Sequence, residues 1–131
     1  MKLIFNGNVI SGNADSEDIC SLFEQLQSTE YQVIILEDET SGSYVQALCG
    51  RYEGLAEARI YKNGGYRHYR QECLTGNDDY DNRSVQIKTK AFVMKALRKH
   101  LAAPATIKRI MQSFLENKDI ASGYVWTEME L

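Results

Sequence analysis

The sequence predicts a single α+β domain covering residues 1–131, with a mainly antiparallel sheet and helices packed on one of its faces. Three observations predict it. Strand candidates succeed one another across residues 44–74 with short glycine-bearing turns, which make meanders rather than parallel crossovers. Helical patterns stand before and after that run instead of alternating strictly with strands. The chain is 131 residues long, 44% hydrophobic and 25% charged, enough for one core but short for two domains flanking a cleft. Pro104 is the only proline, and no Ser/Gly-rich linker or repeat divides the chain.

Lys2 to Ile10 alternate imperfectly around Asn6-Gly7-Asn8, as a strand or small hairpin would. From an N-cap at Asp15 or Ser16, Ile19, Leu22, Phe23 and Leu26 recur at helical spacing, with Glu17 and Asp18 at the favoured positive end; the helix is expected over 16–28. Tyr31 to Leu36 is a β-branched apolar run, followed by a charged turn, Glu37 to Gly42. Strands are expected at Tyr44–Cys49, Leu55–Lys62 and Tyr66–Leu74. Asn63-Gly64 supplies the two positive φ values of a type I′ turn, and the resulting register sets Tyr61 opposite Tyr66, Arg59 opposite His68 and Glu57 opposite Arg70.

Asn77 to Arg83 has the composition of a solvent-facing loop. Ser84 to Lys88 reads as a brief strand. Phe92, Ala96 and Leu97 then suggest a second helix ending near Ala102, and Pro104 opens a third with Ile107, Ile110, Met111 and Phe114 inward. A last strand places Tyr124, Trp126 and Glu128 on one face and Val125, Thr127 and Met129 on the other. In the sheet, Val45, Ala47 and Cys49 together with Ala56, Ala58 and Ile60 form a small apolar face suited to a helix. The opposite face carries Gln46, Glu57, Arg59, Tyr61, Tyr66, His68 and Arg70, as a solvated surface or a recognition surface.

Catalytic motifs are missing: there is no phosphate-binding GxxxxGK[ST], no GxGxxG, no GxSxG elbow and no HExxH pair. His68, Cys73, Asp78, Asp79 and Asp81 fit no zinc spacing, and His100 reads as a partner of nearby helix carbonyls. No cofactor and no metal are expected. Cys20, Cys49 and Cys73 read as reduced, buried small hydrophobes. The longest apolar run, Val33 to Leu36, falls far short of the ~20 residues of a membrane span. Asn6 and Gly7 interrupt the start before a signal-like apolar region develops, so a cytoplasmic protein is expected.

The net charge of −3 conceals an asymmetry. Residues 1–81 hold six Lys/Arg against fourteen Asp/Glu, and residues 82–131 hold nine against four. Lys88, Lys90, Lys95, Arg98, Lys99, Lys108 and Arg109 would concentrate positive charge on the later helices, where a nucleic acid or acidic partner could bind. The acidic segments Glu37-Asp38-Glu39 and Asp78-Asp79-Tyr80-Asp81 could instead oppose the basic active site of a nuclease.

Tyr44-Val45-Gln46-Ala47, Ala56-Glu57-Ala58-Arg59, Tyr66-Arg67-His68-Tyr69, Ala91-Phe92 and the terminal stretch from Trp126 to Leu131 give the chain a likeness to a known group. From about Tyr44 onward it resembles the small immunity proteins of bacterial polymorphic and contact-dependent toxin systems. The resemblance implies a compact α+β domain that binds and neutralises a cognate toxin protein without catalysis. The acidic charge pattern, rather than any matched position, makes Glu37, Asp38, Asp78, Asp79, Tyr80 and Asp81 the expected partner-binding residues, with Tyr80 the anchor and the carboxylates steering. The toxin and the oligomeric state stay open; a small nucleic-acid binder or small enzyme is the alternative.

Overall fold

The structure, a computed structural model, describes residues 1–130; Leu131, the end of the terminal stretch named above, lies outside the described residues. Seven strands form one antiparallel sheet in the order β2-β1-β3-β4-β5-β6-β9, from Lys2–Phe5 (β1), Asn8–Ser11 (β2), Gln32–Glu37 (β3), Tyr44–Cys49 (β4), Gly54–Lys62 (β5), Gly65–Glu72 (β6) and Val125–Met129 (β9). Helices α1 (Ser16–Glu24) and α3 (Pro104–Asn117) pack on one face, so the α+β architecture is the expected one.

Local chemistry explains the boundaries. Asp15 accepts the Asp18 N–H at 2.9 Å while the Asp18 carboxylate takes the Asp15 N–H at 3.0 Å, a reciprocal cap that starts α1. Ala103 precedes α3 in extended conformation with Pro104 in its first turn, and Lys118 ends it in the left-handed region at φ 56°. Ile107, Ile110, Met111 and Phe114 are fully buried in one core with Ile19 and Leu22 of α1 and Leu26 just beyond its end. Ala47, Ala56 and Ala58 supply the sheet side, their small side chains letting α3 approach the strands.

The opposite face is divided. Strands β7 (Ser84–Lys88) and β8 (Val93–Leu97) form a separate hairpin that covers its lower half, burying Leu48 and Leu55 of the sheet under Ile87, Ala96 and Leu101. This corrects the helix expected from Phe92 to Ala102: the segment is a strand followed by a 3-10 turn at Arg98–His100. Thr89 decides the outcome. Its Oγ1 accepts the N–H groups of Ala91 and Phe92 at 3.2 and 3.1 Å and closes a turn that folds β8 back on β7. Alternation then points Met94 and Ala96 inward, against Leu48 and Leu55, and leaves Phe92 exposed.

The hairpin is tied to the sheet by polar bonds. Arg98 donates to Glu53 at 2.8 Å, and the same carboxylate accepts the Tyr31 hydroxyl at 3.1 Å; burial and Glu53 push the Tyr31 phenol up to about 12. Gly54 and Ala102 exchange N–H···O bonds of 2.8 Å. A Cβ at Gly54 would lie 2.8 Å from the Cys49 sulfur and 2.9 Å from the Leu48 carbonyl, so only glycine fits.

Asn77–Arg83 is also corrected. Asn77 caps a four-residue helix, α2 (Asp78–Asp81), accepting the Tyr80 N–H at 3.1 Å. Asp81 turns inward: its carboxylate accepts the Thr75 hydroxyl at 2.6 Å and the Thr75 N–H at 3.1 Å. His100 does not serve helix carbonyls. It is buried, accepts the Leu97 N–H on Nδ1 at 3.3 Å, and lies 3.8 Å from Glu72.

Candidate functional site

The upper half of the hairpin-bearing face stays open, and its composition follows from register. The Asn63-Gly64 turn, with φ of 54° and 77°, pairs Tyr61 with Tyr66, Arg59 with His68 and Glu57 with Arg70, as the sequence predicts. Because partners directly opposite share a face, the ladders assemble one row across six strands: Lys2, Glu37, Tyr44, Arg59, His68 and Met129. A second row behind it runs from Ile35 through Gln46, Glu57 and Arg70 to Thr127.

The centre of these rows is a connected network. Arg70 donates Nε and Nη2 to Glu57 Oε1 at 3.0 and 2.7 Å, and His68 Nε2 lies 2.5 Å from Glu57 Oε2. Arg59 Nε donates to His68 Nδ1 at 3.3 Å, which requires Nδ1 to be the acceptor and assigns the Nε2–H tautomer that donates to Glu57. Burial alone would raise the Glu57 carboxyl, but the His68 and Arg70 bonds and the Arg70 charge outweigh it and hold the group below its ordinary 4.5.

Aromatic rings surround the cation. The Arg59 guanidinium sits 4.3 Å from the Tyr66 ring centroid and 5.9 Å from that of Tyr44. Tyr61 and Tyr66 pack with centroids 5.4 Å apart, and both remain exposed. Burial pushes the Tyr44 phenol above its ordinary value against the pull of Arg59. The patch therefore presents a fixed cation framed by three tyrosines, over a floor whose polar groups satisfy one another.

The acidic residues singled out in the sequence are not brought together. Strand direction puts Glu37 and Asp38 at the upper end of the sheet, whereas Asp78, Asp79, Tyr80 and Asp81 follow β6 at the lower end. Glu37 belongs to the open row and lies 3.8 Å from Lys2. Asp38 is buried in the β3–β4 turn. The Ser41 hydroxyl, at 2.8 Å, and the Thr40 N–H hold its carboxyl below the ordinary range despite burial. Thr75 does the same for Asp81. Asp78, Asp79 and Tyr80 are exposed. Two of the six carboxyl and phenol groups thus serve as turn anchors, chemistry that Asx-type loop signals already suggest.

The basic residues also disperse. Lys88, Lys90 and Lys95 lie on or between the hairpin strands, Lys108 and Arg109 on α3 across the sheet, and Arg98 and Lys99 are paired with Glu53 and Glu72. Compared with known proteins, the sequence matches no family model and no curated protein.

Proposed function

We propose that this chain is a binding protein of the immunity type, which occupies a cognate toxin in the cytoplasm and neutralises it without catalysing a reaction. The observation that carries this reading is the Arg59 site, a guanidinium held by His68 and stacked between Tyr44 and Tyr66 on an open sheet face. Arginine and tyrosine are the residue types that anchor protein interfaces, because they contribute large contact areas and directional bonds together. Here the Glu57 network orders Arg59 in advance, so little conformational freedom is lost when a partner covers it.

Charge adds the steering component. Glu37 in the open row and the exposed Asp78 and Asp79 attract a basic partner, for which a nuclease toxin is the fitting class. Dispersal of the lysines over both sides of the sheet removes the continuous basic surface that a nucleic-acid-binding reading needs. The test is co-expression with a candidate toxin domain encoded beside this chain. The wild type should restore growth and form a complex, Arg59→Ala with Tyr66→Ala should lose both, and failure of the wild type would reject that toxin as the partner.

A further inference from the structure

Backbone pairing alternates strictly in an antiparallel ladder, and the Asn63-Gly64 hairpin sets its phase. Lys62 and Gly65 close the two-residue turn as a hydrogen-bonded pair, so Arg59/His68 and Glu57/Arg70 are non-hydrogen-bonded pairs whose N–H and C=O groups point away from each other. On β6 those groups point to β9, where Met129 faces His68, Thr127 faces Arg70 and Val125 faces Glu72. It follows that Trp126 and Glu128 direct their N–H and C=O groups outward. Among the described residues, no strand pairs with that side of β9.

We propose that this outer edge of β9 takes an extended segment of a partner protein as an eighth strand, with a lysine or arginine set against Glu128. The backbone groups themselves specify an extended chain. Charge specifies the rest: Glu128 and Glu130 border an open hollow of about 450 Å³ lined also by Tyr66, Arg67, His68 and Met129. Arg67 meets Glu128 only at 3.9 Å, with both side chains largely exposed, so an incoming cation competes readily. A second copy of this chain offers Glu128 no cation, since antiparallel pairing about this edge sets it opposite Trp126, Glu128 or Glu130 according to register. The opposite edge is less suited, since the β1–β2 register shifts between Leu3 and Ile4 and such bulges blunt an edge. The hollow joins the edge to Tyr66 and His68, so one partner could cover both.

The inference rests on the reading of the chain as a protein-binding module, but its test uses a peptide, so the two can fail separately. The probe is a short fluorescent peptide alternating lysine with valine and threonine, and its control carries glutamate in place of lysine. The lysine peptide should bind the full chain at least about tenfold more tightly than the control. Its binding should slow hydrogen exchange at the Trp126 and Glu128 amides while Val125, Thr127 and Met129 stay as they were. Glu128→Pro removes the outward N–H together with the carboxylate, spares the N–H groups that pair with β6, and should abolish binding with the melting temperature retained. Should that variant not fold, Glu128→Lys keeps the backbone ladder and should reverse the preference between the two peptides. Equal binding of both peptides to the wild type, unchanged exchange at Trp126 and Glu128, or a dimer that protects those amides without peptide would each overturn the proposal.

Discussion

Arg70 and Glu57 face each other across the β5–β6 hairpin, and the guanidinium reaches a single carboxylate oxygen with two N–H groups while His68 takes the other oxygen. The carboxylate thereby joins two basic side chains in a half-buried setting, where a lost partner costs more than a surface ion pair contributes.

Glu57→Ala should destabilise the fold by about 1–3 kcal/mol, because Arg70 and His68 lose their acceptor together. In a double-mutant cycle with Arg70→Ala, denaturant unfolding should show coupling of at least about 0.5 kcal/mol. Strict additivity would mean that Glu57 and Arg70 do not stabilise the fold through each other.

Acidification should weaken the protein in two stages. Burial, with the nearby Arg70 charge, keeps His100 below its ordinary 6.5, so the unfolded chain takes up the proton first and stability declines as pH falls from about that value. The second stage comes from Asp38, Asp81 and Glu57, all held below their ordinary values of 3.8 and 4.5. Their stabilisation is present above those values and is lost as pH falls through the lower folded-state values. Melting curves against pH should show both stages, and His100→Gln should flatten only the first.

The two ends of α2 should respond differently to mutation. Asp81→Ala removes the acceptor of the Thr75 hydroxyl and N–H and should lower the melting temperature, whereas Asp78→Asn and Asp79→Asn should leave it unchanged. Equal effects at all three positions would contradict the inward orientation of Asp81.

Thiol reactivity should follow burial. Cys49 is fully buried and its thiol is pushed up to about 12, while Cys20 and Cys73 are half-buried. Timed alkylation of the native protein should label Cys49 last, and unfolding should make all three reactive.

Most of the fold was legible because its strongest signals are local. Asn63-Gly64 determines a hairpin and, with it, three facing pairs; Asp15 and Pro104 mark helix starts by hydrogen-bonding and φ constraints that neighbours do not alter. The segment from Phe92 to Leu97 misled because apolar residues at i, i+4 and i+5 suit one helix face, yet the Thr89 side chain and the covering role over Leu48 and Leu55 favour a hairpin. The open row was only half legible. Arg59, Tyr66 and His68 follow from the hairpin, but Glu37 and Tyr44 join them through pairing of β3 with β4 and β4 with β5, and Lys2 through β1, which only the long-range register reveals. Asp38 and Asp81 looked like free charge because composition does not distinguish a solvated carboxylate from one that holds a turn.

Affinity of the purified chain for the candidate toxin domain, measured by titration calorimetry for the wild type and Arg59→Ala at matched melting temperature, tests the binding account most directly. Loss of the stacked guanidinium should weaken binding by roughly 2 kcal/mol or more, about thirtyfold, as for an interface anchor. An Arg59→Ala variant that binds as tightly as the wild type would contradict the assignment of this sheet face as the site.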